Sequence, residues 1–446
     1  MSTSFSSPSH PVEVSTAKVL RLALPALGVL AAAPLYLLLD TAVVGRLGAT
    51  DLAALGAATT IQAQVTTQLT FLSYGTTARS AQHHGAGRHD DAVGEGVQAS
   101  WLALGVGLLL MTLIITAAPT LTRWLAGDAT VAGEATQWLR VAACGIPLIL
   151  LTMAGNGWLR GIQNTRLPLI FTLLGVGPSA ALVPVLVGRY GIVGSAWANL
   201  IGETITSLCF IGALVAMHRG SWMPQRKVMV AQLQLGKNLI ARSLLFQVSF
   251  VSAAAVAGRF GASSLAAHQV MLQLWSFLTL VLDSLAIAAQ ALIGAIVGGT
   301  RAGTATGDQA RRAGSKIVRI SVLLAVGLCV ILACGYQAIP RIFTQDATVL
   351  ATMAPLWWLL VGMVAMGGVV FAFDGVLMGA SDMKFLRNAT ALSALVGFLP
   401  AIWLSLLCDW SLTGVWCGLA LFIFLRMIAV VWRFKSMAWL GTSAGT

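Results

Sequence analysis

Charge is what this chain lacks. Only 9% of its 446 residues are Asp, Glu, Lys or Arg, where a soluble globular domain carries about 25%. That excludes an ordinary water-soluble fold. Cysteine is sparse too: residues 144, 209, 329, 334, 408 and 417 form no CxxC pair and no metal-ligand spacing, so they read as reduced packing residues. The chain contains no nucleotide-binding loop and no nucleophile constellation. Neither ATP hydrolysis nor another enzymatic activity is expected, and no cofactor. Short alternating strands of the kind a membrane barrel needs are missing. No cleavable signal peptide is evident, and residues 1–16, rich in Ser, Thr and Pro, read as disordered.

What is there is apolar. Hydrophobic residues make up 57% of the chain, in recurring runs of about 20, each able to cross a bilayer as a helix. Twelve spans are expected, at roughly 18–44, 52–80, 95–118, 133–159, 166–188, 192–217, 238–258, 264–297, 315–339, 349–378, 386–408 and 412–433. The net charge of +12 does not point to nucleic acid, because Lys and Arg fall mostly in alternate connections. Arg79 with Arg88, Arg160 with Arg166, the group Arg219, Arg226 and Lys227, the group Arg301, Arg311, Arg312 and Lys316, and Lys384 with Arg387 mark one side; Arg46, Arg123, Arg189, Arg259 and Arg341 stand nearly alone on the other. The positive-inside rule makes the first set cytoplasmic and puts both termini there, in a multi-pass protein of the cell membrane.

The basic connection 218–237 divides the chain into an amino-terminal lobe, 18–217, and a carboxy-terminal lobe, 238–433, with tails 1–17 and 434–446. The halves repeat. Gly45-Arg46-Leu47-Gly48-Ala49 returns as Gly258-Arg259-Phe260-Gly261-Ala262; Arg123 to Val131, with Asp128, returns as Arg341 to Val349, with Asp346; Gly157-Trp158-Leu159-Arg160-Gly161 returns as Gly375-Val376-Leu377-Met378-Gly379. Six spans is an even number, so the second half enters the membrane in the same direction as the first. Parallel repeats related by a two-fold along the membrane normal typify secondary transporters, which handle substrate near the midplane. With no ATP site, energy is expected from an ion gradient. Twelve spans can enclose a pathway in one chain, so a monomer in contact with membrane lipids is expected.

Asp40 lies inside the first span. A carboxylate in hydrocarbon is costly and marks a partner, a cavity or a pathway; one that exchanges a proton as its surroundings change can couple proton movement to another event. By repeat register Asp40 pairs with Ala253, so the scaffold does not require an acid there. A helix cap or an ion pair is the static alternative. Pro25 and Pro34 share the span and permit a bend. Glu203, Asp283 and Asp374 are the other intramembrane acids. Gln269, Gln273, Ser276 and Asp283 recur on one helical face and should line an interior. Asp283 pairs by register with Thr70, and Asp374 with Asn156. Asp374 is open to two readings: a cation site, or an ion pair with the loop of Lys384 and Arg387. Asn199 and Glu203 are one turn apart, facing a cavity or a polar neighbour. Gln64 and Gln68 suit bonds between helices better than substrate. His83, His84 and His89, with Asp90 and Asp91, read as a solvated Gly-rich loop rather than a metal site. Trp138, Trp275, Trp357 and Trp358 suit either flat cations or the membrane interface.

Several of these segments resemble the multidrug and toxic-compound extrusion (MATE) family: Leu22-Ala23-Leu24-Pro25, Leu39-Asp40-Thr41-Ala42-Val43-Val44-Gly45-Arg46-Leu47-Gly48, and Leu159-Arg160-Gly161-Ile162-Gln163-Asn164-Thr165-Arg166. Arg242-Ser243-Leu244-Leu245, Leu282-Asp283-Ser284 and Phe373-Asp374-Gly375 look like its DinF branch. The resemblance runs from about Val19 to Arg433. It implies an all-α membrane protein of two six-helix lobes arranged in a V, exporting organic cations or other amphiphiles against H⁺ or Na⁺. It places the protonation site on Asp40, the bend on Pro25 and the family's fourth-span tyrosine on Trp138. Some members carry an Asn and an Asp in the fifth span; here those positions are Ser179 and Val183, and the sixth-span threonine is Asn199. With the second acid missing, protons are favoured over Na⁺ in the amino lobe, while Asp283 or Asp374 leaves a carboxy-lobe cation site open. A distantly similar fold, the lipid-intermediate flippase, would want a strongly basic central cavity. Here the cations sit at the loops, with Arg140 the main exception.

Overall fold

A computed structural model describes residues 14–441. The described chain is helical. The amino lobe comprises α1 (Thr16–Val44), α2 (Ala49–Gln68), α3 (Phe71–Gly85), α4 (His89–Ala126), α5 (Ala129–Ala143), α6 (Ile146–Gly161), α7 (Arg166–Tyr190) and α8 (Ile192–Met217). The carboxy lobe comprises α9 (Arg226–Arg259), α10 (Ala262–Arg301), α11 (Gly307–Cys334), the short α12 (Ala338–Phe343), α13 (Ala347–Gly379), α14 (Met383–Leu392), α15 (Leu399–Leu407) and α16 (Ser411–Lys435).

These form twelve membrane crossings, six in each lobe, and three of the crossings are broken. Among the described residues ten helices are long and apolar enough to cross a membrane, or eleven when α5 and α6, bent by 46°, count as one span. The break comes just before Pro147, which has no N–H to continue the α5 ladder. The pair α2–α3 is the remaining crossing. Thr66 and Thr70 return their hydroxyls to the carbonyls of Gln62 and Thr67 at 3.1 and 3.0 Å, competing with the helix where it parts. Ahead of Pro400, a π-helical turn at Ser393–Phe398 joins α14 to α15.

The repeat extends to local geometry. Asp128 and Asp346 each cap the next helix, accepting from the amides two and three residues on. Gly48 and Gly261 precede α2 and α10 with φ of 152° and 103°, values that favour glycine. Gln163 and Ser381 take φ of 61° and 65° in the turns after α6 and α13.

Several boundaries differ from the sequence reading. The connection between lobes is only 218–225, because α9 starts at Arg226. Polar Gln232 and small Gly236 looked like linker, but both are buried, with Gly236 facing the Phe71 ring. At the amino end Val14 is buried and Ser15 caps α1. At the carboxy end a 3₁₀ turn, Ala438–Gly441, buries Trp439 against Phe434, with stacked rings 5.7 Å apart. Phe434 and Trp439 are therefore packed, while Lys435, Ser436, Ala438 and Gly441 between and beyond them are exposed. Residues 1–13 and 442–446 of the expected tails lie outside the described chain.

The lobes meet at one end. From Leu282 to Gly299 nearly every residue of α10 is buried, packed against α3, α13 and α1. A Cβ at Gly298 would collide with the Gln82 carbonyl and one at Gly85 with the Ala295 backbone, so glycine sets the approach of the lobes. Gln82 crosses the seam, donating to the Gly379 carbonyl at 2.9 Å and to Ser381 at 3.0 Å while accepting from Arg301 at 2.6 Å. At the other end α2 has no comparable packing on α10. There Thr60, Gln64 and Thr67 on α2, and Gln269, Gln273 and Ser276 on α10, are exposed. The result is a V, closed beside the connections 86–88, 302–306 and 380–382.

Candidate functional site

Asp40 is 2% exposed, about a turn from the end of α1 at the open side of the amino lobe. Ser195 of α8 donates to its Oδ2 at 2.7 Å, and Trp138 Nε1 of α5 donates to Ser195 Oγ at 3.1 Å. Asp40 Oδ1 is buried with no hydrogen-bond partner. One turn earlier, the Tyr36 hydroxyl lies 2.9 Å from Ser179 Oγ, which donates to the Ala198 carbonyl at 2.7 Å. Through these bonds α1 is tied to α5, α7 and α8 by a carboxyl and three hydroxyls. Glu203, half-buried on α8, lies within electrostatic range of Tyr36, as Asp40 does. Among the described residues, no basic side chain forms an ion pair with either acid.

The structure thus gathers Asp40, Trp138 and Ser179 in one network. Trp138 presents its N–H to Ser195 instead of standing free as a stacking platform. Asn199 is half-buried on α8 beside the network. Asn156 is not part of it. It lies near the sealed end of α6, buried, with Oδ1 unpartnered. Pro25 and Pro34 sit within one continuous helix.

The second constellation lies where the V closes. Tyr74 of α3 donates to Asp283 of α10 at 2.8 Å, across the lobes. Asp374 of α13 accepts from Arg242 of α9 at 2.6 Å and from Arg426 of α16 at 2.5 Å. Both guanidiniums also lie over the Phe246 ring, at 5.5 and 5.0 Å. Arg160, 6% exposed, is within electrostatic range of Tyr74 and Asp283 and donates to Ser73 at 3.3 Å.

This corrects the reading of the carboxy lobe. Asp374 is ion-paired, but not to the loop: Arg387 bonds Asn238 and Asn388, and the partners of Asp374 come from α9 and α16. Two arginines on one carboxylate leave it ill suited to a cation. Asp283 sits at the floor of the V, half-buried; Gln269 and Gln273 share its helix but lie on the open arm. The interior is also richer in cations than expected. Arg160, Arg242 and Arg426 are interior, whereas Arg140 is exposed. A charged residue inside an apolar run was the available signal for Arg242 and Arg426. Arg160 was masked by its closeness to a loop.

His83 and His84 belong to α3, not to a loop, and only 86–88 connect it to α4. His83 Nε2 lies 3.4 Å from Glu95, which also receives both Arg79, in a bidentate pair at 2.6 and 2.8 Å, and Gln232 at 2.8 Å.

A two-lobed helical bundle, closed at one end, with buried carboxyls at the junctions of its helices, is an architecture shared with membrane transporters. The MatE family model matches the chain twice, over residues 25–185 and 239–403, once in each lobe. Protein DETOXIFICATION 44, chloroplastic, of Arabidopsis thaliana is 30% identical over 448 residues, covering 96% of this chain and 82% of that protein. DNA damage-inducible protein F of Escherichia coli is 28% identical over 431 residues, covering 92% and 91%. A solved MOP superfamily transporter from Pyrococcus furiosus superposes with a TM-score of 0.85 at 19% identity, covering 96% of each chain. The chain belongs to the MATE family of multidrug efflux transporters.

Proposed function

We propose that this protein is a proton-driven exporter of amphiphilic organic cations, with Asp40 as the group that carries the proton. The observation that bears most weight is the state of that carboxyl. It is buried at the junction of α1, α5 and α8, holds one hydrogen bond, and has a second oxygen without a partner. An ionised carboxylate left so poorly solvated is costly, whereas a protonated one is tolerated. Proton binding and release at Asp40 therefore bias the contacts between these helices, which is what coupling needs. Few oxygens converge on Asp40, which disfavours a dehydrated Na⁺ there. Asp374, clamped by two arginines, is a poor alternative.

The basic connections flank the closed end of the V. By the positive-inside rule that end is cytoplasmic and the cleft opens outward. Both termini then lie in the cytoplasm and the protein in the cell or inner membrane, working as a monomer of two lobes, about 18–217 and 226–433. A proton entering from outside neutralises Asp40, its bond from Ser195 and the neighbouring Tyr36–Ser179 contact rearrange, and substrate leaves. Return to the inward face discharges the proton.

Ethidium flux in proteoliposomes tests this. A pH gradient without sodium should drive uphill movement, and a sodium gradient at equal pH should not. The opposite result would move coupling to Na⁺.

A further inference from the structure

We propose that the exposed face of α11, at the closed end of the V, binds an anionic phospholipid of the leaflet on that side. The site is separate from the cleft and from Asp40, and it holds whatever the protein carries.

The order of residues along the helix is the first argument. Arg312, Lys316, Arg319, Leu323, Val326 and Val330 recur at three- and four-residue spacing, so they share one face. All six are exposed, while Ala310, Ala313, Gly314, Ile317 and Ser321 on the opposite face are buried. The exposed face is therefore a cationic head followed by an apolar tail, with Leu323 66% exposed one turn beyond Arg319. A phospholipid lying along the helix has the same order, with its phosphate at the cations and an acyl chain on Leu323, Val326 and Val330. A nucleic acid or an acidic peptide would match only the first half.

Charge is the second argument. Arg311 adds a fourth cation beside these three, against Asp308; with Ser315 they frame an open groove of about 620 Å³, room for a glycerophosphate head group. Among the described residues none of the four cations forms an ion pair. Arg319 falls inside the expected crossing 315–339, where an arginine must reach back to the head-group layer. A phosphate held there offsets the charge through charge-assisted hydrogen bonds. Residues 1–13 and 442–446 offer one acidic side chain, Glu13, too few to balance four cations.

The repeat serves as a control. α4 and α11 begin at His89 and Gly307, the same separation as Arg123 and Arg341. In that register Gly94, Gln98 and Trp101 stand where Arg312, Lys316 and Arg319 do. There the connection between the lobes docks. Gln98 donates to the Met223 carbonyl at 3.0 Å and accepts from the Gln225 amide at 2.6 Å, and Trp101 donates to the Trp222 carbonyl at 2.8 Å. After α16 the chain instead turns back, stacking Trp439 on Phe434, and the face of α11 stays exposed. The scaffold thus demands no cations at this place.

The test is native mass spectrometry of the full chain in neutral detergent, with phosphatidylglycerol or phosphatidylcholine of matched acyl chains. Phosphatidylglycerol should bind at least tenfold more tightly. Lys316→Gln with Arg319→Gln should cut that preference by roughly fivefold for each cation removed. Arg219→Gln with Lys227→Gln removes as much charge from exposed positions at the connection between the lobes and should leave the preference unchanged. As a ratio of two lipids, the reading is independent of the amount of folded protein. An equal loss in the two variants would overturn the proposal, because the preference would then follow total charge. Equal binding of both lipids by the unaltered chain would overturn it as well. So would glycerol phosphate binding as tightly as phosphatidylglycerol, since the apolar half of the face would then contribute nothing.

Discussion

Replacing Asp374 by Asn separates a structural ion pair from a cation site. The side chain keeps its shape and loses its charge, while Arg242 and Arg426 stay where they are, 2.6 and 2.5 Å from the former carboxylate oxygen. Both arginines are largely buried, with side-chain exposures of 14% and 5%, so water cannot replace the lost partner. Removing one member of a buried pair costs about 3–5 kcal/mol because the other charge is left uncompensated. In a chain of this size that corresponds to a fall in melting temperature of about 5 °C. Thermal unfolding in detergent would read it. The double change Asp374→Asn with Arg426→Gln removes one positive charge as well and should recover part of the loss, a coupling that a double-mutant cycle measures. If Asp374 instead binds a transported cation, Asp374→Asn should leave melting unchanged or raise it, and should abolish sodium-dependent flux. That pair of results would refute the ion-pair reasoning.

Other consequences follow from the same contacts. Ser195→Ala deprives Asp40 of its hydrogen bond and Trp138 of its acceptor; a stability loss of about 1–3 kcal/mol and reduced proton-driven ethidium flux are expected, and unchanged flux would remove Ser195 from the network. Gly298→Leu drives a side chain into the Gln82 carbonyl and should wedge the lobes apart at about 1–3 kcal/mol; labelling of a cysteine introduced by Ala81→Cys should speed up, and an unaltered rate would mean the seam yields elsewhere. Asp346 caps α13, and the Thr348 hydroxyl with the amides of Thr348 and Val349 holds its carboxyl below the usual carboxylate range. A lowered value means the cap contributes fully above the ordinary carboxylate range and is lost as pH falls through the lowered one. The protection of the Val349 amide, its exchange rate set against the intrinsic rate at each pH, should fall on acidification over that window, and Asp346→Asn should remove the dependence.

The features legible in the sequence were those carried by local pattern. Three short repeats, each with its own cap or turn, were enough to divide the chain, and the structure puts Asp128 and Asp346, or Gly48 and Gly261, in matching roles. Asp40 stood out because an acid in an apolar run is costly wherever it points. Its partners did not stand out. Ser195 is 155 positions away, and serines are common in helices packed closely in a membrane. Nor was the basic floor visible. Arg242, Asp374 and Arg426 are separated by 132 and 52 positions, and a single arginine barely changes the hydropathy of a long span. The position of Arg160 beside a basic connection made it look like a surface charge. The start of α9 was missed for a related reason: Gln232 is polar, so it suggested solvent, but its amide nitrogen is spent on Glu95 inside the protein.

Proton-coupled ethidium flux in Asp40→Asn proteoliposomes, set beside the unaltered chain under the same pH gradient without sodium, tests the central claim most directly. Asn keeps the shape of the side chain and cannot cycle a proton, so gradient-driven accumulation should vanish while ethidium still binds. Equal accumulation in both proteins would contradict the account and strip Asp40 of its role as the coupling acid.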